Sequence, residues 1–359
     1  MVPICQNLWG LVDESKRLGD EAAAILQNHE NDQIETLRKT ISAYAESLGA
    51  LERKWTESLT TLKSGEKLFT PQYEALKVIL KGNTTLPYSD SEYEIQDGVV
   101  VKLRINSPNL KNITPLLAMP TIRSLDIGRS EVSDLSALTN LHHLECLWLD
   151  YTQIEDLAPI INCQELTEIH LNSCDSLKNI DLVAGLPKLR KLTLYNTIVA
   201  DLRFLARMSG LEELDIDGNN FQPELIADMS DLKVLRIFQA VLTPDQVERL
   251  IEILKQKTQI EQLWLPGVKL SSLGFIANMP GMKDLNIERT GIKDLSPLSA
   301  LASLESINIS ENWIGNLDPL LNKPNLHTIA AQRNPLLRSR SRQEDFCRKL
   351  GHKVDFHTE

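Results

Sequence analysis

Residues 282–303, MKDLNIERTGIKDLSPLSALAS, and residues 122–143, IRSLDIGRSEVSDLSALTNLHH, carry one apolar pattern in two distant parts of the chain. Apolar side chains stand at relative positions 0, 3, 5, 10, 13 and 16: Met282, Leu285, Ile287, Ile292, Leu295 and Leu298 in one, Ile122, Leu125, Ile127, Val132, Leu135 and Leu138 in the other. Working outward, units of this kind begin at residues 100, 122, 144, 166, 189, 211, 232, 260, 282, 304 and 326. The step is 22 residues, with one step of 23, one of 21 and one of 28. In LxxLxL the last two leucines alternate along a short strand and share one face. A single unit cannot bury that face alone, so successive coils must stack. The sequence therefore predicts a curved α/β solenoid of about 11 parallel-strand coils.

Relative position 8 is expected to hold a small polar side chain that bonds buried backbone of the adjacent coil. It carries Ser130, Thr152, Cys174, Thr197, Asn219, Thr290, Asn312 and Asn334, while Pro108, Ala240 and Val268 depart from it. Cys174 is thus read as a ladder residue rather than a nucleophile. The unit ending is also specific, reading IKDLSPL over residues 292–298 and IEDLAPI over residues 154–160. This pattern resembles the leucine-rich repeat family, in the 22-residue class of internalins and phosphatase regulators, over about residues 93–359. The resemblance implies the fold and a binding role; it names no partner, because such repeats host many.

The long seventh unit holds residues 243–259, TPDQVERLIEILKQKTQ, with Thr243 as N-cap, Pro244 in the first helical position, and Val247, Leu250, Ile251 and Leu254 on one face. A convex-side helix is expected there. At the front, residues 93–105 (YEIQDGVVVKLRI) place Asp97-Gly98 between apolar alternations, a two-residue hairpin signal that should start the sheet. At the back, residues 333–356 suggest a closing cap, with a short helix carrying Phe346, Cys347 and Leu350 and a last strand at Val354 and Phe356. Arg338, Arg340 and Arg342 are read as solvating that cap.

The N-terminal region follows a different period. Ile34, Leu37, Ile41, Tyr44, Leu48, Leu51, Trp55 and Leu62 fall in alternating steps of three and four, broken only at Ser58; Ile4, Leu8, Leu11, Leu18, Ala22 and Ile25 repeat this more weakly. Asp32 and Glu35 have capping-box spacing between the two runs. A helical hairpin ending near Gly65 is expected, then a third helix from Thr70 and Pro71 to Gly82 that packs Tyr73, Leu76 and Leu80. The resulting division is residues 1–85 helical, 86–99 linker and capping hairpin, 100–335 repeats and 336–359 cap. The heptads are consistent with an enlarged solenoid cap or a packed three-helix bundle, and also with a coiled coil for self-association or partner binding, since a helical hairpin and a dimer bury the same seam.

Composition narrows function. A net charge of -11 argues against phosphate-backbone binding, which needs clustered cations, so no nucleic acid is expected. No run approaches the roughly 18 apolar residues of a membrane helix. The start, MVPICQNLWGLVDESK, carries neither a basic leader nor a clean apolar run. Five cysteines at 5, 146, 163, 174 and 347 form no CxxC and suit a reducing compartment. A cytoplasmic protein is expected, or one delivered into a host cell by a dedicated secretion system. Motifs for phosphate cradling, zinc proteolysis or an esterase nucleophile do not occur, so neither enzyme, metal nor cofactor is expected.

Function is then read from the side chains that alternate out of the core. Positions 4, 6 and 7 give Trp148, Asp150 and Tyr151, His170, Tyr195, Asp215 and Asp217, Arg236 and Phe238, and Trp264. Five aromatics in 33 places exceed the fewer than two expected at the chain's 5% aromatic content. Exposed aromatics in a concavity mean recognition, since they bring contact area at small entropy cost. Acidic Glu212, Glu213, Asp215 and Asp217 in the sixth unit are flanked by Arg190, Lys191, Lys233 and Arg236. The reading is a non-enzymatic scaffold that grips another protein or peptide. The alternative is an effector or adaptor whose repeats select a substrate for a modifying activity such as ubiquitin ligation, similar in plan to bacterial leucine-rich repeat ligases.

Overall fold

The computed structural model describes residues 58–81 except 63, residues 90–335, and 344, 346, 348, 349 and 355–357 near the C-terminus. The expected helices over residues 4–25 and 34–55, the run Arg338, Arg340 and Arg342, and Cys347, Leu350 and Val354 lie outside the described residues. Two compact units are distinguished, one of residues 1–78 with 94–100 and one of 79–93 with 101–359.

In the first unit, strands β1 (Leu59–Thr61) and β2 (Lys67–Phe69) pair antiparallel through a turn with Gly65 at φ 88°. This corrects the expectation that helix continues through Leu62. Thr60 and Thr61 are β-branched and favour strand, and their segment is tied down by Thr70, whose N–H and hydroxyl both donate to the Ser58 carbonyl. The third helix forms as α1 (Thr70–Lys81), but its buried residues are Gln72, Ala75, Leu76 and Ile79 rather than Tyr73, Leu76 and Leu80. Gln72 is drawn inward because its Oε1 accepts the Val100 N–H at 2.7 Å.

The larger unit is the solenoid. Its sheet begins with strands β3 (Asp90–Gln96) and β4 (Val99–Asn106), whose residues 94–100 are counted with the first unit; they are joined by Asp97 and Gly98, at φ 52° and 78°, as a two-residue primed turn requires. The sheet continues through β5 (Ser124–Asp126), β6 (Cys146–Trp148), β7 (Glu168–His170), β8 (Lys191–Leu194), β9 (Glu213–Asp217) and β10 (Val234–Phe238). It ends with β11 (Gln262–Trp264), β12 (Asp284–Asn286), β13 (Ser306–Asn308), β14 (Thr328–Ala330) and β15 (Asp355–His357). From β4 onward every neighbouring pair is parallel. The register sets position 3 of each coil on position 3 of the next: Leu103, Leu125, Leu147, Ile169, Leu192, Leu214, Leu235, Leu263, Leu285, Ile307 and Ile329. None is more than 1% exposed.

Three recurring devices return the chain. Position 7 takes the left-handed conformation at Arg129, Tyr151, Ser173, Asn196, Gln239, Arg289, Glu311 and Arg333, with φ between 52° and 60°, and at Gly267. This turns the chain out of the strand while its N–H still reaches the next coil, as from Arg129 to the Asp150 carbonyl at 2.7 Å. Position 8 then satisfies backbone beneath it. Ser130 and Thr152 donate within their own coil, to Ile127 and Leu149 at 2.6 Å. Thr197 and Asn312 reach the preceding coil, at Leu171 and Ile287. The Asn219 side chain lies outside the described residues. Position 12 explains the aspartate of the unit ending: Asp134, Asp156, Asp201 and Asp294 each accept the N–H two residues on, opening the 3-10 turn that crosses the convex side.

The pattern breaks between the sixth and seventh coils. A Cβ on Gly218, at position 7, would fall 2.5 Å from Ala240, which replaces the ladder residue of the next coil. After it comes α2 (Pro244–Leu254) with its Thr243 and Gln246 capping box, burying Val247, Leu250, Ile253 and Leu254. Ile253 takes the place expected for Ile251, which is only half-buried. At the other end, Phe356 pairs with Ile329 and extends the sheet, and Phe346 is buried.

This register is testable by unfolding in denaturant. Leu214→Ala should lose about 2 to 5 kcal/mol as a large-to-small change in a packed core. Arg123→Ala removes only an exposed pair with Glu145 and should cost about 0.5 kcal/mol or less. Equal losses would mean that the buried column is wrongly placed.

Candidate functional site

Residues on either side of the buried position 3 face away from the core. Parallel stacking sets each beside its counterpart in the next coil, roughly 4.8 Å away, and so builds rows of interacting side chains. In the position-4 row, Trp148 stacks on His170 with ring centroids 5.3 Å apart and planes 13° apart. His170 Nε2 lies 2.5 Å from Glu168 Oε1, and Nδ1 lies 3.2 Å from the Thr193 hydroxyl. With the proton on Nε2, the ring donates to Glu168 and accepts from Thr193. Lys191 bridges Glu168 at 3.0 Å and Glu213 at 3.4 Å. Burial works against the Glu168 charge, but the hydrogen bonds from His170 and Lys191 outweigh it and hold its carboxyl below the usual range.

Three coils further on, Arg236 holds both oxygens of Asp215 at 2.9 and 3.0 Å, and hydrogen-bonds the Gln262 side-chain oxygen. Its guanidinium also lies over Trp264, 4.9 Å from the ring centroid. Trp264 donates from Nε1 to Asp284 at 2.9 Å and meets Phe238 edge-on at 5.9 Å. Phe238 in turn contacts Tyr195 at 4.4 Å. The Asp215 and Arg236 side chains are only 16% and 20% exposed, so these outward-alternating residues form a half-buried network. Burial raises the Asp215 carboxyl, with Arg236 opposing.

The remaining expected residues lie along the rim. Asp150 accepts the Asn172 N–H at 2.7 Å, and Asn172 accepts that of Tyr195 at 2.8 Å; burial raises the Asp150 carboxyl. Tyr151 stands apart from the band, because position 7 has already turned out of the strand. It is 53% exposed beneath the Arg129 guanidinium. Burial raises the Asp217 carboxyl, with a backbone hydrogen bond from Asn196 opposing, and its Oδ1 is buried without a partner. Sequence reasoning missed Cys146, Glu168, Gln262 and Asp284 at position 2, although position 2 has the same alternation parity as position 4. The Cys146 thiol is pushed up by burial and by Glu168, and burial alone pushes Cys163 up to about 11. Among the described residues no group of three or more His, Cys, Asp or Glu is placed to hold a metal, and no helix is long and apolar enough to cross a membrane.

No family model matches the chain. Among solved structures, it is similar to an internalin from Listeria monocytogenes, at 21% identity and TM-score 0.53, covering 74% of this chain and 82% of that one. A leucine-rich repeat protein from Leptospira interrogans gives 19% identity and TM-score 0.51, with 70% of each chain covered. The Arabidopsis receptor kinase HAESA, solved with a peptide hormone and a co-receptor, gives 16% identity and TM-score 0.51 over 79% of this chain and 49% of that one. The chain spans less than a third of the length of the curated relatives it matches, 14%, 22% and 30% of them.

Two stability measurements probe the network. Arg236→Ala should destabilise by about 3 kcal/mol by stranding Asp215, whereas Arg236→Met combined with Asp215→Leu should recover most of the loss; an additive double variant would mean the pair does not act as one. For Asp217, a carboxyl whose pKa is raised on folding opposes folding while ionised, and this opposition fades as pH falls through the folded value. Asp217→Asn should therefore be more stable than the parent near pH 7, with the gap closing toward pH 4; a gap that does not change with pH would contradict this.

Proposed function

From the premise that the chain has the leucine-rich repeat fold, we propose that it is a non-enzymatic recognition protein whose concave sheet holds another polypeptide. The observation that carries this reading is the aromatic band from Trp148 and His170 through Tyr195 and Phe238 to Trp264. Five strand spacings separate its ends, roughly 24 Å, which matches about seven residues of extended chain. Aromatic rings fixed by neighbours lose little entropy when a partner covers them. The acids and cations alongside are already paired within the sheet, so they orient a partner more than they drive its binding.

The concave thiol supports recognition over chemistry. A nucleophilic cysteine needs a depressed pKa, and Cys146 is shifted the other way by burial and Glu168. Cys146, Cys163 and Cys174 are free thiols, which fits a reducing compartment, and we place the protein in the cytoplasm. HAESA was solved with a peptide hormone bound; by analogy of fold, a peptide or a protein segment is the ligand class proposed here.

Affinity purification with the full chain, followed by calorimetry on the recovered partner, tests this reading. Trp148→Ala and Trp264→Ala should each weaken binding by about 2 kcal/mol or more. Lys255→Ala, beside α2, should leave affinity unchanged. Unchanged affinity in both tryptophan variants would remove the concave face as the binding surface.

A further inference from the structure

We propose that Asp217, Tyr195 and Phe238 form a receptacle at the rim of the concave face for one arginine side chain of the bound polypeptide. This rests on the polypeptide-binding reading and specifies the group taken at one point of it. The three residues occupy position 6 of consecutive coils, and Phe238 registers on Asp217 in the sheet. Although they lie two coils apart, the Tyr195 and Phe238 rings come to 4.4 Å, centroid to centroid, with planes at 57°. They meet across the strand that carries Asp217.

Asp217 Oδ1 is buried without a hydrogen-bond partner. Leaving such an oxygen unpaired is costly, more so when it carries charge. Its own chain supplies no cation: among the described residues no ion pair reaches Asp217, because Lys191 is held by Glu168 and Glu213, and Arg236 by Asp215. Asp217 also lines a cleft of about 250 Å³, together with Asp175, Asn196, Asn220 and Gln239, while Tyr195 and Phe238 stand outside its lining. Its walls come from the fourth to the seventh coils, Asp175 to Gln239. Burial holds the Asp217 carboxyl up against a backbone hydrogen bond from Asn196 that lowers it, a shift that an incoming cation would reverse.

The chain already builds this arrangement once, with the arginine in place. Two residues earlier on the same strands, Arg236 bonds a carboxylate, Asp215, and an amide oxygen, Gln262, and lies over an aromatic ring, Trp264. At position 6 the carboxylate, the neighbouring amides and the rings recur without the guanidinium. A guanidinium suits this set better than an ammonium does. It offers a planar fork of five donors and stacks on ring faces, whereas lysine brings a compact, strongly hydrated charge. Tyr195 keeps 39% of its surface exposed for that contact.

The probe is N-acetylargininamide titrated into the full chain, with binding followed by NMR at the Tyr195 and Phe238 ring protons. N-acetylcitrullinamide, of the same shape but uncharged, and N-acetyllysinamide are titrated in parallel. Saturable shifts at both rings are expected from the arginine compound, with each of the others at least about tenfold weaker. Asp217→Asn should weaken the arginine compound by about tenfold as well. Equal binding of arginine and citrulline compounds, or no binding of either, overturns the receptacle without any variant having to fold; equal binding of the lysine compound overturns the guanidinium assignment. The compound is too short to reach Trp148 or Trp264, so its failure leaves the wider concave-face reading standing.

Discussion

No coil of this chain can bury its own apolar face, and everything else in the solenoid answers to that constraint. Leu125 is fully buried because Leu103 and Leu147 lie on either side of it in register, and the same holds along the row to Ile329. Backbone pairing and apolar burial therefore act on one axis, each coil templating the next. The outermost strands of the sheet are β3 and β15.

The same register builds the functional surface. Side chains that alternate away from Leu147, Leu214 or Leu263 are brought into rows with their counterparts, so that residues 21 or more positions apart become neighbours. Trp148 finds His170 in this way, and Arg236 finds both Asp215 and Trp264. Because the strands are short and position 7 turns sharply out of them, the rows end in a defined rim, where Tyr195, Asp217 and Phe238 lie. A cleft lined by Asp217, Asn196, Asn220 and Gln239 opens beside that rim.

The repeated demands were legible in the sequence: buried leucines, the ladder hydroxyls and amides, and the hairpin at Asp97-Gly98 each recur or carry their own backbone signature. What escaped it depended on single contacts across long separations. Gln72 turns inward for the Val100 N–H, which no helical period contains, and the Thr60 strand pairs with Lys67–Phe69 against a heptad pattern that runs through Leu62. Within the site, alternation found Trp148, His170, Asp215, Arg236 and Trp264 but not their engagement with Glu168, Gln262 and Asp284. Parallel strands bring like positions so close together that these side chains pair with one another, which alternation within one strand does not reveal. Tyr151 was grouped with the band because the left-handed turn at position 7 leaves no mark on residue type: arginine, tyrosine, serine and glutamate all occupy it.

The central claim is that a polypeptide is held by the concave strands rather than by the convex turns or the N-terminal region. Hydrogen–deuterium exchange of the full chain, alone and with its purified partner, reads this directly. Protection should concentrate in peptides that cover Trp148, His170, Tyr195, Asp217, Phe238 and Trp264, with the convex α2 unchanged. Protection confined to α2, the convex turns or residues 1–85 would contradict it.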